Sequence, residues 1–325
     1  MLEIGLIGLG PGWEDRFRPA LLNLRHRMRI RVLQSAVASL SDQTAAELQC
    51  EPAYGLLTVM ERPDVRALLI LDSAWYGTVP AEFACRVGKP AFLAGRLTDW
   101  ISRAREILPL AAESGTTLMP DFGHRYTPAT SRLKELIATR LGRPDAVTVK
   151  ARVRPSALMA VAPGTPVDVR EAWLKSLDWA CHLTGTAPVE VRLTEAGPPG
   201  DFGIVAQEVS IGFRRSVAGG APATARVILD QSPAAAPAWF AEVRCRKGIA
   251  RLEGDTCIDW EDATEKRSES LVGERNDVEV MLDHFSRRVV GGLIPVPTLD
   301  DLWRAVRLLE AAERSQQTGA LQSVE

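Results

Sequence analysis

Two stretches carry residue types whose spacing suits chemistry. Residues 4–12, Ile-Gly-Leu-Ile-Gly-Leu-Gly-Pro-Gly, run from an apolar segment into a glycine-rich turn, followed by a Leu- and Arg-rich segment. That is the sequence of a buried strand turning tightly into a helix. Glycines at 8, 10 and 12 let the backbone approach a pyrophosphate, and the helix N-terminus adds unpaired N–H groups and partial positive charge. The full dinucleotide spacing asks for glycine at 13, where this chain has Trp13, its third glycine falling one place early at Gly12. In such a unit the second strand ends in Asp or Glu, which accepts hydrogen bonds from the adenosine ribose. Here that end reads Val32-Leu33-Gln34-Ser35-Ala36, with no acid. Ser35 is the remaining candidate for a ribose hydroxyl or a 2′-phosphate, the alternative being a strand end that binds nothing. Further on, His124-Arg125-Tyr126 follows a fifth apolar run, at the strand ends where doubly wound folds bind ligands. Arg125 can grip a carboxylate or phosphate bidentately or brace a domain junction, while a lone loop histidine such as His124 is ordinarily solvated.

The elements that must position these residues alternate. Strands are expected over 4–9, 30–38, 65–71, 91–94 and 116–119, and helices over 16–27, 42–49 (capped by Ser41), 56–61, 80–87 and 100–114. Strand and helix in turn imply a doubly wound parallel sheet with right-handed crossovers, an α/β, Rossmann-like domain over residues 1–122. Beyond Pro120 the pattern changes. A helix over 127–141, a strand over 147–153, a Pro-containing loop over 154–169 and a helix over 170–183 lead to strands over 189–193, 204–213, 223–229, 239–245 and 249–252. A turn is expected over 232–238. Strands without intervening helices mean an α+β domain, residues 123–325, with a mostly antiparallel sheet. Helices over 277–289 and 299–314 and a loose tail from residue 316 close the chain.

The 325 residues carry a formal charge of −2 and are 46% hydrophobic and 25% charged, a globular composition. Near neutrality excludes general nucleic-acid or anionic-membrane binding. Cys50, Cys85, Cys181, Cys245 and Cys257 are scattered, without a C-x-x-C pair, so neither a disulfide framework nor a metal site is indicated. Reduced thiols in a cytoplasm are expected. The N-terminus begins with a core-like strand and lacks a signal-peptide pattern, and no apolar run approaches the roughly 20 residues that span a bilayer. The expectation is a soluble, unprocessed protein.

Residues 4–10 (IGLIGLG), 84–97 (ACRVGKPAFLAGRL), 125–142 (RYTPATSRLKELIATRLG) and 177–191 (LDWACHLTGTAPVEV) resemble the Gfo/Idh/MocA family of NAD(P)-dependent sugar and cyclitol oxidoreductases. The resemblance implies NAD or NADP held at Gly8, Gly10, Gly12 and Ser35, with Trp75 against the nicotinamide riboside or, alternatively, plugging its loop. It also implies a small-molecule ligand near Arg125 and a homo-oligomer formed through the second-domain sheet. Members carry a Glu-Lys-Pro tripeptide whose lysine assists proton transfer. The matching residues here are Ala94-Gly95-Arg96, so the lysine position is Gly95, and Arg96, whose guanidinium stays protonated, is a poor proton shuttle. The family's second catalytic stretch, Asp, His and Asp at i, i+4 and i+7, matches Glu171, Lys175 and Asp178. These share a helical face, where Lys175 would serve as a relocated base or only as half of an exposed i,i+4 pair. His182, four residues after Asp178, is a substrate-binding or structural histidine. The resulting expectation is an NAD(P)-dependent oxidoreductase-like protein with a degenerate active site. Two alternatives stay open: a non-catalytic ligand-binding or assembly protein, and an enzyme of altered chemistry using Glu171, Lys175 and Asp178.

Overall fold

The computed structural model describes residues 1–153, 169–196, 206–215, 221–231 and 238–324. Apart from Val169 and Ala238, the expected loop over 154–169 and turn over 232–238 lie outside the described residues. The chain divides into two units, residues 1–123 with 275–303, and residues 124–274 with 304–325.

The first unit holds six parallel strands: β1 (Leu2–Ile7), β2 (Met28–Gln34), β3 (Glu51–Pro52), β4 (Ala67–Ile70), β5 (Ala91–Leu93) and β6 (Leu118–Pro120), in the order β3-β2-β1-β4-β5-β6. Every residue of β4 is buried, as expected of a strand covered on both faces. The order reverses between β1 and β4, which opens a crevice at their carboxyl ends. The connections carry α1 (Arg18–Asn23), α2 (Ala38–Leu48), α3 (Leu56–Met60), α4 (Ser73–Tyr76), α5 (Val79–Val87) and α6 (Leu97–Ser114). Two local expectations are corrected. The first helix opens with a wide π-turn over Trp13–Phe17, so its α-helical part is short. The helix expected from residue 42 starts at Ala38, capped by Val37, because the Ser41 hydroxyl accepts a hydrogen bond from Ser35 N at 2.9 Å.

In the second unit α7 (Pro128–Leu136) passes into a π-turn over Ile137–Leu141, and α8 (Val169–Thr184) buries Trp173, Leu174, Leu177 and Trp179. The sheet has nine strands: β7 (Pro144–Arg152), β8 (Pro188–Ala196), β9 (Ala206–Phe213), β10 (Thr224–Asp230), β11 (Ala238–Cys245), β12 (Gly248–Glu253), β13 (Cys257–Asp262), β14 (Lys266–Ser270) and β15 (Gln322–Ser323). Their order is β14-β13-β12-β11-β7-β10-β9-β8-β15. β7 and β10 run parallel, and the other pairs antiparallel. β13 and β14, rich in charged residues, carry too weak an alternation to be read from sequence. The expected loose tail is also corrected. After α9 (Asp277–Val289), α10 runs from Leu299 to Thr318, the Ser315 hydroxyl ties Leu193 N to the Ala320 carbonyl, and β15 pairs with β8.

The first unit takes in a segment far along the chain, residues 275–303. Phe285 of α9, fully buried, meets the edge of Phe92 at 6.2 Å between centroids, and Phe92 meets Phe17 at 6.0 Å. On the same helix Asp277 takes a hydrogen bond from Arg16 at 2.8 Å, and Arg16 also reaches Asp121 at 3.1 Å. Burial opposes the Arg16 charge, but the two carboxylates outweigh it and raise its pKa. Phe285→Ala should cost about 3–5 kcal/mol in denaturant unfolding through the cavity it leaves. A loss below about 1 kcal/mol would mean that α9 is not part of this core.

Candidate functional site

At the carboxyl end of β1 the backbone is crowded. Gly8 has φ +80°, and a Cβ there would lie 2.5 Å from Asp72 Cβ; a Cβ on Gly10 would lie 2.1 Å from the Leu71 carbonyl oxygen. Both glycines are obligatory for this turn. Gly12 is not, since a Cβ there would meet nothing closer than 3.5 Å. Trp13, at the third-glycine position, is 5% exposed and lies in the core, at the start of the π-turn. Beside the turn is a cavity of about 430 Å³ lined by Leu9, Gly10, Pro11, Asp72, Ala74 and Trp75. Trp75 presents 70% of its surface to solvent, and Asp72 caps α4 by accepting from Trp75 N at 3.1 Å.

The phosphate side of a dinucleotide fits this backbone; the ribose side fits less well. The Ser35 hydroxyl is committed to the Val37 carbonyl at 2.8 Å and to Ser41 at 2.9 Å. Gln34 donates its amide to the Ser35 carbonyl, leaving its Oε1 buried without a hydrogen bond. That oxygen has almost no accessible surface, and a neutral amide offers a ribose a weaker acceptor than a carboxylate does. Glu14 and Asp15 in the first helical turn put negative charge where a phosphate would approach.

At the lysine position the structure leaves no room for a side chain. Gly95 has φ +115°, and a Cβ there would lie 2.2 Å from the Ser73 hydroxyl oxygen. Ser73, first residue of α4, bonds Asp99 at 3.4 Å, and Asp99 and Arg96 close a reciprocal cap on α6. Nothing in the local pattern of the sequence marks Ser73 as the occupant, because it lies 22 positions away and meets residue 95 only through the fold.

In the second unit two of the three residues expected to converge meet, and the third turns to other partners. Lys175 Nζ pairs with Glu171 Oε1 at 3.1 Å, the lysine half-exposed and the glutamate buried. Asp178 instead accepts from Arg125 Nε at 2.8 Å, from Arg125 Nη2, and from His124 Nε2 at 2.6 Å. Burial alone would raise the Asp178 carboxyl; Arg125 and then His124 override it and hold it well below the usual carboxylate range. Arg125, offered as a ligand-binding arginine, thus has its fork on a buried carboxylate. His182 joins this cluster with Nε2 buried and unpartnered, and burial, Arg125 and Lys134 together push its pKa down to about 3 against the pull of Asp178. Lys134, which sequence reading passed over, is itself lowered, by burial first and then by Arg125.

No family model and no curated protein sequence matches the chain. Among solved structures it is similar to an aldose-aldose oxidoreductase from Caulobacter crescentus (18% identity, 99% of each chain covered, TM-score 0.73). An NAD binding oxidoreductase from Klebsiella pneumoniae (18%, 100% of this chain and 99% of that one, TM-score 0.74) is also similar. So is a UDP-N-acetylglucosamine 3-dehydrogenase from Acidithiobacillus ferrooxidans (17%, 97% of each, TM-score 0.69). The chain shares the fold of these oxidoreductases. Among the described residues, no helix is long and apolar enough to cross a membrane, and no group of three or more His, Cys, Asp or Glu could hold a metal ion.

Within this fold His182 makes stability pH-dependent. The unfolded chain takes up its proton below about pH 6.5 and the folded chain only near 3, so stability falls as pH drops through that window. The Asp178 contribution, from a lowered carboxyl, is lost only at more acid pH. Urea unfolding should show His182→Gln losing about 2 kcal/mol less than wild type between pH 7.5 and pH 5. Equal losses would remove His182 from the buried neutral state described above.

Proposed function

We propose that this chain is an oxidoreductase-fold protein that binds NAD or NADP at the strand ends of its first unit, with a sugar-like small molecule as second ligand. It does not perform the ordinary lysine-assisted oxidation. The observation that carries the reading is Gly95, whose left-handed backbone and crowding by the Ser73 hydroxyl leave the proton-transferring position without a side chain. Obligatory Gly8 and Gly10 support a retained cofactor site, and the buried neutral amide of Gln34 a weakened one. The names of the neighbours, an aldose-aldose oxidoreductase and a UDP-N-acetylglucosamine 3-dehydrogenase, support the ligand class.

The same reading includes a cytoplasmic location, in keeping with five free cysteines, and a homo-oligomer joined through the outer face of the nine-stranded sheet. That face carries Arg226 paired with Glu208 at 2.7 Å, Arg152 paired with Asp230 at 3.1 Å, and Phe240 at 40% exposure. Its pairing would rest on charge register as much as on apolar area. Sedimentation showing a single species of monomer mass would remove this part.

Titration with NAD⁺, NADH, NADP⁺ and NADPH should raise the melting temperature with at least one of them, at a Kd between roughly 10 μM and 1 mM. Gln34→Asp should tighten NAD binding about tenfold by restoring a charged ribose acceptor. A panel of sugars and polyols should give no nicotinamide reduction with wild-type protein. Any turnover at ordinary rates overturns the catalytic half, and no shift with all four dinucleotides overturns the cofactor half. Gly95→Lys alone should destabilise the fold, so restoring the lysine also requires Ser73→Gly.

A further inference from the structure

A second cavity, of about 330 Å³, lies in the first unit between the α1–β2 connection and α9. It sits beside the start of β2, at the amino edge of the sheet, whereas Gly8 and Trp75 lie at the carboxyl edge. Its walls include Asn23, His26, Arg27, Arg275, Glu279 and Asp283. Glu279 and Asp283, one turn apart on α9, keep only 9% and 7% of their surface exposed. Asp283 Oδ1 is buried and accepts no hydrogen bond, although Arg27 Nε stands 3.4 Å from it; Arg275 and Arg287 stand 3.8 and 4.0 Å from Oδ2. Glu279 accepts from the Asn23 amide through Oε1 and has Arg275 Nε at 3.8 Å from Oε2. A buried carboxylate ordinarily has its hydrogen bonds made, so a loosely flanked one facing a cavity calls for a donor from outside the chain.

The charges have a direction. The side chains of Glu279 and Asp283 are 11% and 9% exposed, while those of Arg27 and Arg275 are 49% and 50% exposed, so the floor is negative and the rim positive. Among the lining residues two carboxylates and two guanidinium groups balance, Arg287 standing outside the lining. A simple ammonium ion would crowd the arginines and a simple carboxylate would crowd Asp283. A metal ion is disfavoured by the guanidinium groups and by the small ligand set. A dipolar molecule adds no net charge and matches both ends. The volume lies at the small end of ligand pockets.

We propose that this cavity binds a small zwitterionic α-amino acid, its ammonium group received by Asp283 and Glu279 and its carboxylate by Arg27 and Arg275. Donation from the ammonium group completes the hydrogen bonding of Asp283, and the guanidinium forks at the rim take the carboxylate. Neither sheet edge needs the other for this, so amino-acid binding is expected with or without a dinucleotide.

The test is calorimetry and thermal melting of the full chain with the common amino acids, and with ethylamine hydrochloride and sodium acetate as single-charge controls. At least one amino acid should bind saturably and raise Tm by roughly 2–5 °C at ten times its Kd, with neither control binding. Asp283→Asn should weaken that binding more than tenfold. Arg27→Gln, at the half-exposed rim, should do the same while staying folded with a modestly lowered unliganded Tm, which keeps the test readable if Asp283→Asn fails to fold. Binding by no amino acid, binding of either control as tightly as the best amino acid, or unchanged affinity in Arg27→Gln would overturn the proposal.

Discussion

A carbonyl oxygen at the end of β4 stands where a side chain on residue 10 would have to be, and much of the first unit follows from that contact. With a Cβ at Gly10 only 2.1 Å from Leu71 O, the β1 turn is pressed against the β4 end. Asp72, next in the chain, crowds Gly8 and caps the short α4, which in turn fixes Ser73 and Trp75. Because β1 and β4 are neighbours at the reversal of strand order, their connections leave on opposite sides and the crevice between them stays open. The opening is therefore a consequence of fold geometry and needs no particular catalytic residue to maintain it.

That independence lets the glycine turn keep its backbone whatever residues stand around position 95. Ser73 and Gly95 exclude one another's alternatives: a hydroxyl that bonds Asp99 occupies the space, and a glycine with φ +115° accepts its presence. A lysine at 95 would face both the steric conflict and the backbone strain, so its absence is built into two elements rather than into one substitution.

Elsewhere the fold is tightened by ion pairs, two of them on the buried carboxylates Asp121 and Asp178. Arg16 crosses from the first helical turn to Asp121 and Asp277, bringing the late helix α9 onto the early sheet, and Arg125 holds Asp178 with His124. Such pairs are costly to leave half-made, and their partners lie far apart in sequence. Charge pattern alone cannot tell a solvated arginine near residue 16 from one with a distant carboxylate.

The sequence by itself determined the alternation of strand and helix in the first unit, its parallel sheet, the glycine turn, the late helix from residue 277 and the absence of a lysine at 95. Each of these is written in local periodicity or residue type. Only the tertiary structure decided that Ser73 fills the place at 95, that Ser35 spends its hydroxyl on its own chain, that Asp178 leaves Glu171 and Lys175 for Arg125, and that residues 275–303 return to the first unit. It also decided that the last residues pair with β8 as β15. These depend on which distant surfaces meet when apolar faces are buried, and side-chain period along the chain carries no record of that meeting.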